Sequence, residues 1–117
     1  MTLVYLATPY SKYPGGLEAA WIDACRVSAA LLRQGIQVYS PIAHTHGIAI
    51  HGDLNPLDHD LWLGFDEAMM KACDELIVAR LEGWQESRGI AHEIMKFMGM
   101  GKSVLYVDFD VESGELK

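Results

Sequence analysis

The chain has 117 residues, half of them hydrophobic, with 9 Lys+Arg against 16 Asp+Glu and a net charge of −7. That is enough for one domain but too short for two cores, and it offers too much apolar surface for an intrinsically disordered chain. The acidity disfavours a nucleic-acid polymer as partner, yet allows a small anionic ligand, because one helix N-terminus overrides net charge locally.

In chain order, Leu3–Ala7 (LVYLA) reads as a strand buried on both faces, closed by Thr8-Pro9. Residues 10–16 form a loop broken at Pro14-Gly15-Gly16. A helix follows over Leu17–Gln34, with Trp21, Ala24, Cys25, Ser28, Leu31 and Leu32 on one face and Gly35 as its C′ stop. Gln37–Ser40 is a second strand, stopped by Pro41, and residues 41–55 read as a long loop carrying His44, His46, His51 and Asp53. Asn55-Pro56 has the form of an N-cap with proline at N1, opening a helix to about Ala72.

Glu75–Ala79 is a third buried strand, and Ser87 caps a helix from Arg88 to about Met100, ended by Gly99 and Gly101. Ser103–Val107 is the fourth strand, and the acidic tail 108–117 reads as an edge extension, a frayed end or a short further strand. Strands alternating with helices predict one three-layer, flavodoxin-like (Rossmann-like) α/β domain. Its four- or five-stranded, mainly parallel sheet carries helices on both faces. Ligands of such sheets bind at the carboxyl ends of the strands.

The first residues lack a basic segment and a cleavage site, no apolar run reaches ~20 residues, and neither Cys25 nor Cys73 lies in a C-x-x-C. A cytoplasmic protein with two buried free thiols and no membrane partner is therefore expected.

Two carboxylates break the surface pattern. Asp66 falls inside the apolar arc of Trp62, Phe65, Met69 and Cys73, and Glu93 lies about 60° from Ile90 at the edge of the arc of Ile90, Ile94, Phe97 and Met98. The plainer reading is that both cap neighbouring N–H groups or pair with Arg80 or Arg88. The chemical reading is a pair of acids at one pocket, which suits glycosidic chemistry: one acts at the anomeric carbon while the other handles the proton of the leaving group.

The segments Tyr5-Leu6-Ala7-Thr8-Pro9-Tyr10-Ser11, Trp62…Asp66, Ala72–Val78 and Gly83–Glu93, in this order, resemble the nucleoside 2-deoxyribosyltransferase-like superfamily. That superfamily includes 2′-deoxynucleoside 5′-monophosphate N-glycosidases and CMP N-glycosidases. Within it the chain looks closest to a small uncharacterised bacterial and phage family, a domain of unknown function. The resemblance implies a flavodoxin-like fold, a homo-oligomer and a nucleoside or nucleotide ligand; no cofactor or metal is expected.

It also implies residue roles. Glu93, the last residue of the S-x-G-x-x-x-E pattern begun by Ser87 and Gly89, would attack C1′. Asp66 would assist departure of the base, and Tyr5 would hold the glutamate. Ser87 and Gly89 would receive the sugar or its 5′ group. The loop TPYSKYPGG departs from the glycine-, serine- and arginine-rich phosphate loop of the monophosphate hydrolases. That leaves Pro9, Tyr10, Ser11, Lys12 and the backbone of Gly15-Gly16 as substrate contacts, with a plain turn as the alternative.

Arg88 could meet a phosphate or salt-bridge Glu82 or Glu86. Trp84 could stack on a base or cover the core edge. His44 and His46 could belong to a substrate lid, to plain surface or, with His51 and His59, to a metal-dependent hydrolase. The methionines Met69, Met70, Met95, Met98 and Met100 read as packing. The expected activity is therefore cleavage or transfer of an N-glycosidic bond. The alternatives are a non-catalytic nucleotide-binding module on the same fold and a histidine-loop metal hydrolase.

Overall fold

A computed structural model describes residues 2–117. The described residues form one four-stranded parallel sheet, a two-stranded hairpin and four α-helices. The sheet strands are β1 (Leu3–Ala7), β2 (Gln37–Tyr39), β3 (Glu75–Ala79) and β4 (Val104–Val107), in spatial order β2-β1-β3-β4. The helices are α1 (Leu17–Arg33), α2 (Pro41–His51), α3 (His59–Ala72) and α4 (Arg88–Gly99). This is the predicted three-layer α/β architecture, with strand order reversing between β1 and β3.

Strand periodicity sorts the core into two layers. Val4, Leu6, Ile77 and Ala79 face α1, where they meet Val27, Ala30 and Leu31. Tyr5, Ala7, Leu76 and Val78 face the other way, onto Met70 of α3 and Ile90 and Phe97 of α4. β1 pairs with β2 in the register Tyr5↔Tyr39, which brings two tyrosines side by side on one face.

Gly35 and Gly101 act as the predicted helix stops, whereas Gly99 is the last residue of α4 itself. At Gly35 (φ 82°) the N–H reaches Leu32 O, while Ile36 N–H reaches Leu31 O, the paired bonds of a Schellman end. Gly101 closes α4 in the same way, with Lys102 N–H on Phe97 O. Lys102 then extends its ammonium onto the carbonyls of Met70, Lys71 and Cys73, at 3.3, 2.9 and 2.7 Å, and so holds the C-terminus of α3 against α4.

Several expectations are corrected. Residues 41–51 are helix, not loop: Ser40 accepts from Ala43 N–H at 3.1 Å and Pro41 takes N1, so a proline that ends a strand also opens a helix. Asn55 is not an N-cap. Its side chain accepts from Leu57 N–H at 2.9 Å in an Asx turn, and Asp58 caps α3 instead. Cys25 and Leu32 are exposed, because α1 packs through the small residues Ala20, Ala24 and Ala30, and only Cys73 is a buried thiol.

Met95 and Met98 are also exposed, at 73% and 67%, whereas Met70 is core. Phe65 is 40% exposed, although the apolar arc places it inward. The tail is ordered: β5 (Phe109–Asp110) and β6 (Glu115–Leu116) form an antiparallel hairpin, which buries Phe109 against the α1 layer. Arg26 lies over the Phe109 ring at 5.7 Å. No described helix is long and apolar enough to cross a membrane.

Candidate functional site

Tyr5, Tyr39, Asp66 and Glu93 converge beside the β1–β3 reversal, on the α3/α4 face. β1 supplies Tyr5, fully buried in mid-strand, and β2 supplies Tyr39, with ring centroids 5.7 Å apart. α3 turns Asp66 inward and α4 turns Glu93 inward, so the two carboxyls that break the helical surface pattern face each other and the tyrosines. The Ser87 hydroxyl, accepting from Ile90 N–H at 3.2 Å, fixes the start of α4 and with it the direction of Glu93.

Burial governs the electrostatics. Glu93 is raised from its ordinary 4.5 to about 8, chiefly by desolvation. The Tyr5 hydroxyl opposes this and the Asp66 charge adds to it. Asp66 is raised to about 6 by desolvation, and His59 pulls it back. Burial also drives both tyrosines upward, with Glu93 the main acid neighbour of Tyr5 and Asp66 that of Tyr39. The Tyr5 hydroxyl faces Glu93 without reaching strict hydrogen-bond geometry, and Tyr39 Oη and Asp66 Oδ1 are likewise buried without a partner among the described residues.

Sequence reasoning gives the bare charge to Glu93 and the proton to Asp66. Burial raises Glu93 further than Asp66, so desolvation by itself works against a bare charge on Glu93. The two carboxyls influence each other, so they lose their protons as a pair rather than singly.

A cavity of about 690 Å³ lies beside this cluster rather than over it. Of the candidate substrate contacts, Pro9, Tyr10, Ser11, Ser87 and Arg88 line it, together with Lys12, Tyr13, Pro14, Glu82, Gly83 and Glu86. Glu82 and Glu86 balance the charges of Lys12 and Arg88. Six residues of helix, about 9 Å at 1.5 Å each, separate Ser87 from Glu93. A ligand of nucleotide size can span that distance.

The remaining candidates lie elsewhere. His46 is buried, its ring 4.9 Å from Trp21 and hydrogen-bonded through Nδ1 to the Tyr10 hydroxyl, so it ties the cavity loop to α2. Burial lowers its pKa. His44 is exposed and stacks on Phe65 at 5.6 Å, with Tyr39 at 5.9 Å, at the rim of the acid cluster. Trp84 packs on Tyr106 at 5.7 Å and on the α4-side core, and Gly89 is exposed in the first turn of α4; neither lines the cavity. Among the described residues no three His, Cys, Asp or Glu side chains form a metal-binding group.

Sequence reasoning missed Tyr39. The signal was available: parallel pairing of the first two strands puts Tyr5 and Tyr39 on the same face. No curated protein matches the chain. A family model does match, over residues 2–108, and the chain therefore belongs to the family described as a domain of unknown function, DUF1937.

Proposed function

We propose that the protein cleaves or transfers the N-glycosidic bond of a nucleoside or nucleoside 5′-monophosphate, as a member of the nucleoside 2-deoxyribosyltransferase-like superfamily. The observation that carries this reading is the convergence of Glu93, Asp66 and Tyr5 on one edge of the sheet, two acids of raised pKa facing a buried hydroxyl.

Breaking the bond builds positive charge on the sugar. A carboxylate at C1′ stabilises that charge or captures the carbon, and the second acid gives its proton to the departing base. Glu93 takes the first role once its proton has passed to Asp66, a shift favoured by the cation forming beside Glu93. Tyr5 donates to the ionised glutamate and keeps it aimed. Ser87, Arg88, Lys12 and the Pro9–Ser11 segment receive the sugar and its 5′ group in the adjoining cavity. Water or a second base then resolves the intermediate.

Incubation with deoxynucleosides, ribonucleosides and their 5′-monophosphates, followed by chromatography, is expected to yield free base, and Glu93→Ala to abolish it. No base from any of these substrates would overturn the enzymatic reading. The lateral position of the cavity favours one second reading, a nucleotide-binding module without turnover. Calorimetry showing tight nucleotide binding with no base released is its signature.

A homo-oligomer in the cytoplasm belongs to the same proposal. Leu57, Leu61 and Phe65, 40–52% exposed, supply apolar surface for a second copy.

A further inference from the structure

We propose that Tyr39 is a positioning residue that, with Asp66, brackets a single hydroxyl oxygen inside the acid site. Buried polar atoms are nearly always hydrogen-bonded, and of the three unpartnered ones in this cluster Tyr5 Oη has Glu93 as its main acid neighbour, which leaves Tyr39 Oη and Asp66 Oδ1 to be explained together. Tyr39 Oη and Asp66 Oδ1 are both buried, both lack a partner among the described residues, and belong to groups close enough to influence each other electrostatically. Tyr5, the register neighbour of Tyr39, has Glu93 as its main acid neighbour, so the site consists of two tyrosine–carboxyl pairs side by side on adjacent strands.

The chemistry narrows what lies between the second pair. Tyr39 offers an O–H that burial keeps protonated, and an ionised Asp66 only accepts. An atom bridging them must accept from the phenol and donate to the carboxylate. A carbonyl or an unprotonated ring nitrogen cannot donate, and an amide N–H cannot accept. A hydroxyl oxygen does both, and it comes either from a sugar or from water.

The groups facing Tyr39 are Tyr5 on β1, His44 on α2, Asp66 and Phe65 on α3, Cys73 after α3, and Glu93 on α4. The His44 and Phe65 rings lie against Tyr39 at 5.9 and 6.4 Å, and Cys73, itself raised to about 11 by burial, stays a neutral thiol and does not compete for the proton. The proposal rests on the glycosidic reading only for the identity of the ligand.

The test is carboxyl-carbon NMR titration of the ligand-free protein. Tyr39→Phe, which keeps the ring, is expected to raise the Asp66 pKa by about half a unit to one unit through the lost bridged donor, and to leave Glu93 nearly in place. Tyr5→Phe is expected to do the converse. Read from the other end, Asp66→Asn lowers the Tyr39 phenol pKa more than that of Tyr5.

Repeating the titration in concentrated D-ribose separates the two sources. A change in Asp66 that Tyr39→Phe removes assigns the oxygen to a sugar hydroxyl, and an unchanged titration assigns it to water. The proposal is overturned if Asp66 titrates alike in wild type and Tyr39→Phe, or if that variant moves Glu93 more than Asp66. Because no turnover is measured, this result is independent of whether base is released.

Discussion

Glu93 and Asp66 lose more from desolvation than they gain from partners in the folded chain, and stability should record this. Both have folded pKa values above their ordinary ones, so their contribution to folding is fully present below about pH 4. It is lost as the pH rises through about 6 for Asp66 and about 8 for Glu93. Wild-type stability should therefore fall between pH 4 and pH 9 in denaturant melts. Glu93→Gln should flatten that fall and be more stable than wild type above pH 8, by roughly 1–3 kcal/mol.

The same variant should lower base release by at least about 100-fold, since it removes the carboxylate proposed to act at C1′. The singly protonated pair dominates between its two ionisations. The kcat/KM profile should thus be bell-shaped, with limbs near pH 6 and pH 8, and Asp66→Asn, which removes the proton donor but still requires Glu93 to be ionised, should remove the basic limb.

Secondary structure held by short polar contacts shows what could be read in advance. β1 and β3 were legible as continuous apolar runs, and α1 and α4 as long 3.6-residue periods with a cap or a glycine stop beside them. α2 was not, because Ser40-Pro41 carries two meanings and the histidines dilute its periodicity. The paired acids were legible as exceptions to that period, whereas Tyr39 was hidden because its role depends on which strands pair. Ser40→Ala removes the cap of α2 and should cost about 1 kcal/mol by thermal melting. It should also broaden the His44 ring resonances, as the helix end that holds this ring against Phe65 frays. Lys102→Met removes three bonds from the end of α3 and should destabilise by roughly 1–3 kcal/mol, with loss of amide protection concentrated at residues 70–74.

For the molecule as a whole, the α1 side of the sheet is completed not by another helix but by the C-terminal hairpin. Phe109→Ala should cost about 3 kcal/mol or more, because it opens the α1 layer where Leu116 and Arg26 also close over it. Sedimentation velocity should give a mass above the 13.0 kDa of one chain, and Leu61→Glu should return it to that of a monomer.

One edge of the sheet is β4, where Leu105 and Tyr106 stand 47% and 43% exposed and, among the described residues, no strand pairs with the outer backbone. Open borders of this kind template the addition of foreign strands, and a basic or proline side chain is the usual guard against that. Val104–Val107 carries neither of its own, but it is only four residues long and Arg80 lies over the Tyr106 ring at 5.6 Å, so brevity and a borrowed cation guard it. Arg80→Ala should raise light scattering on prolonged storage at high concentration, and Leu105→Lys should offset that rise.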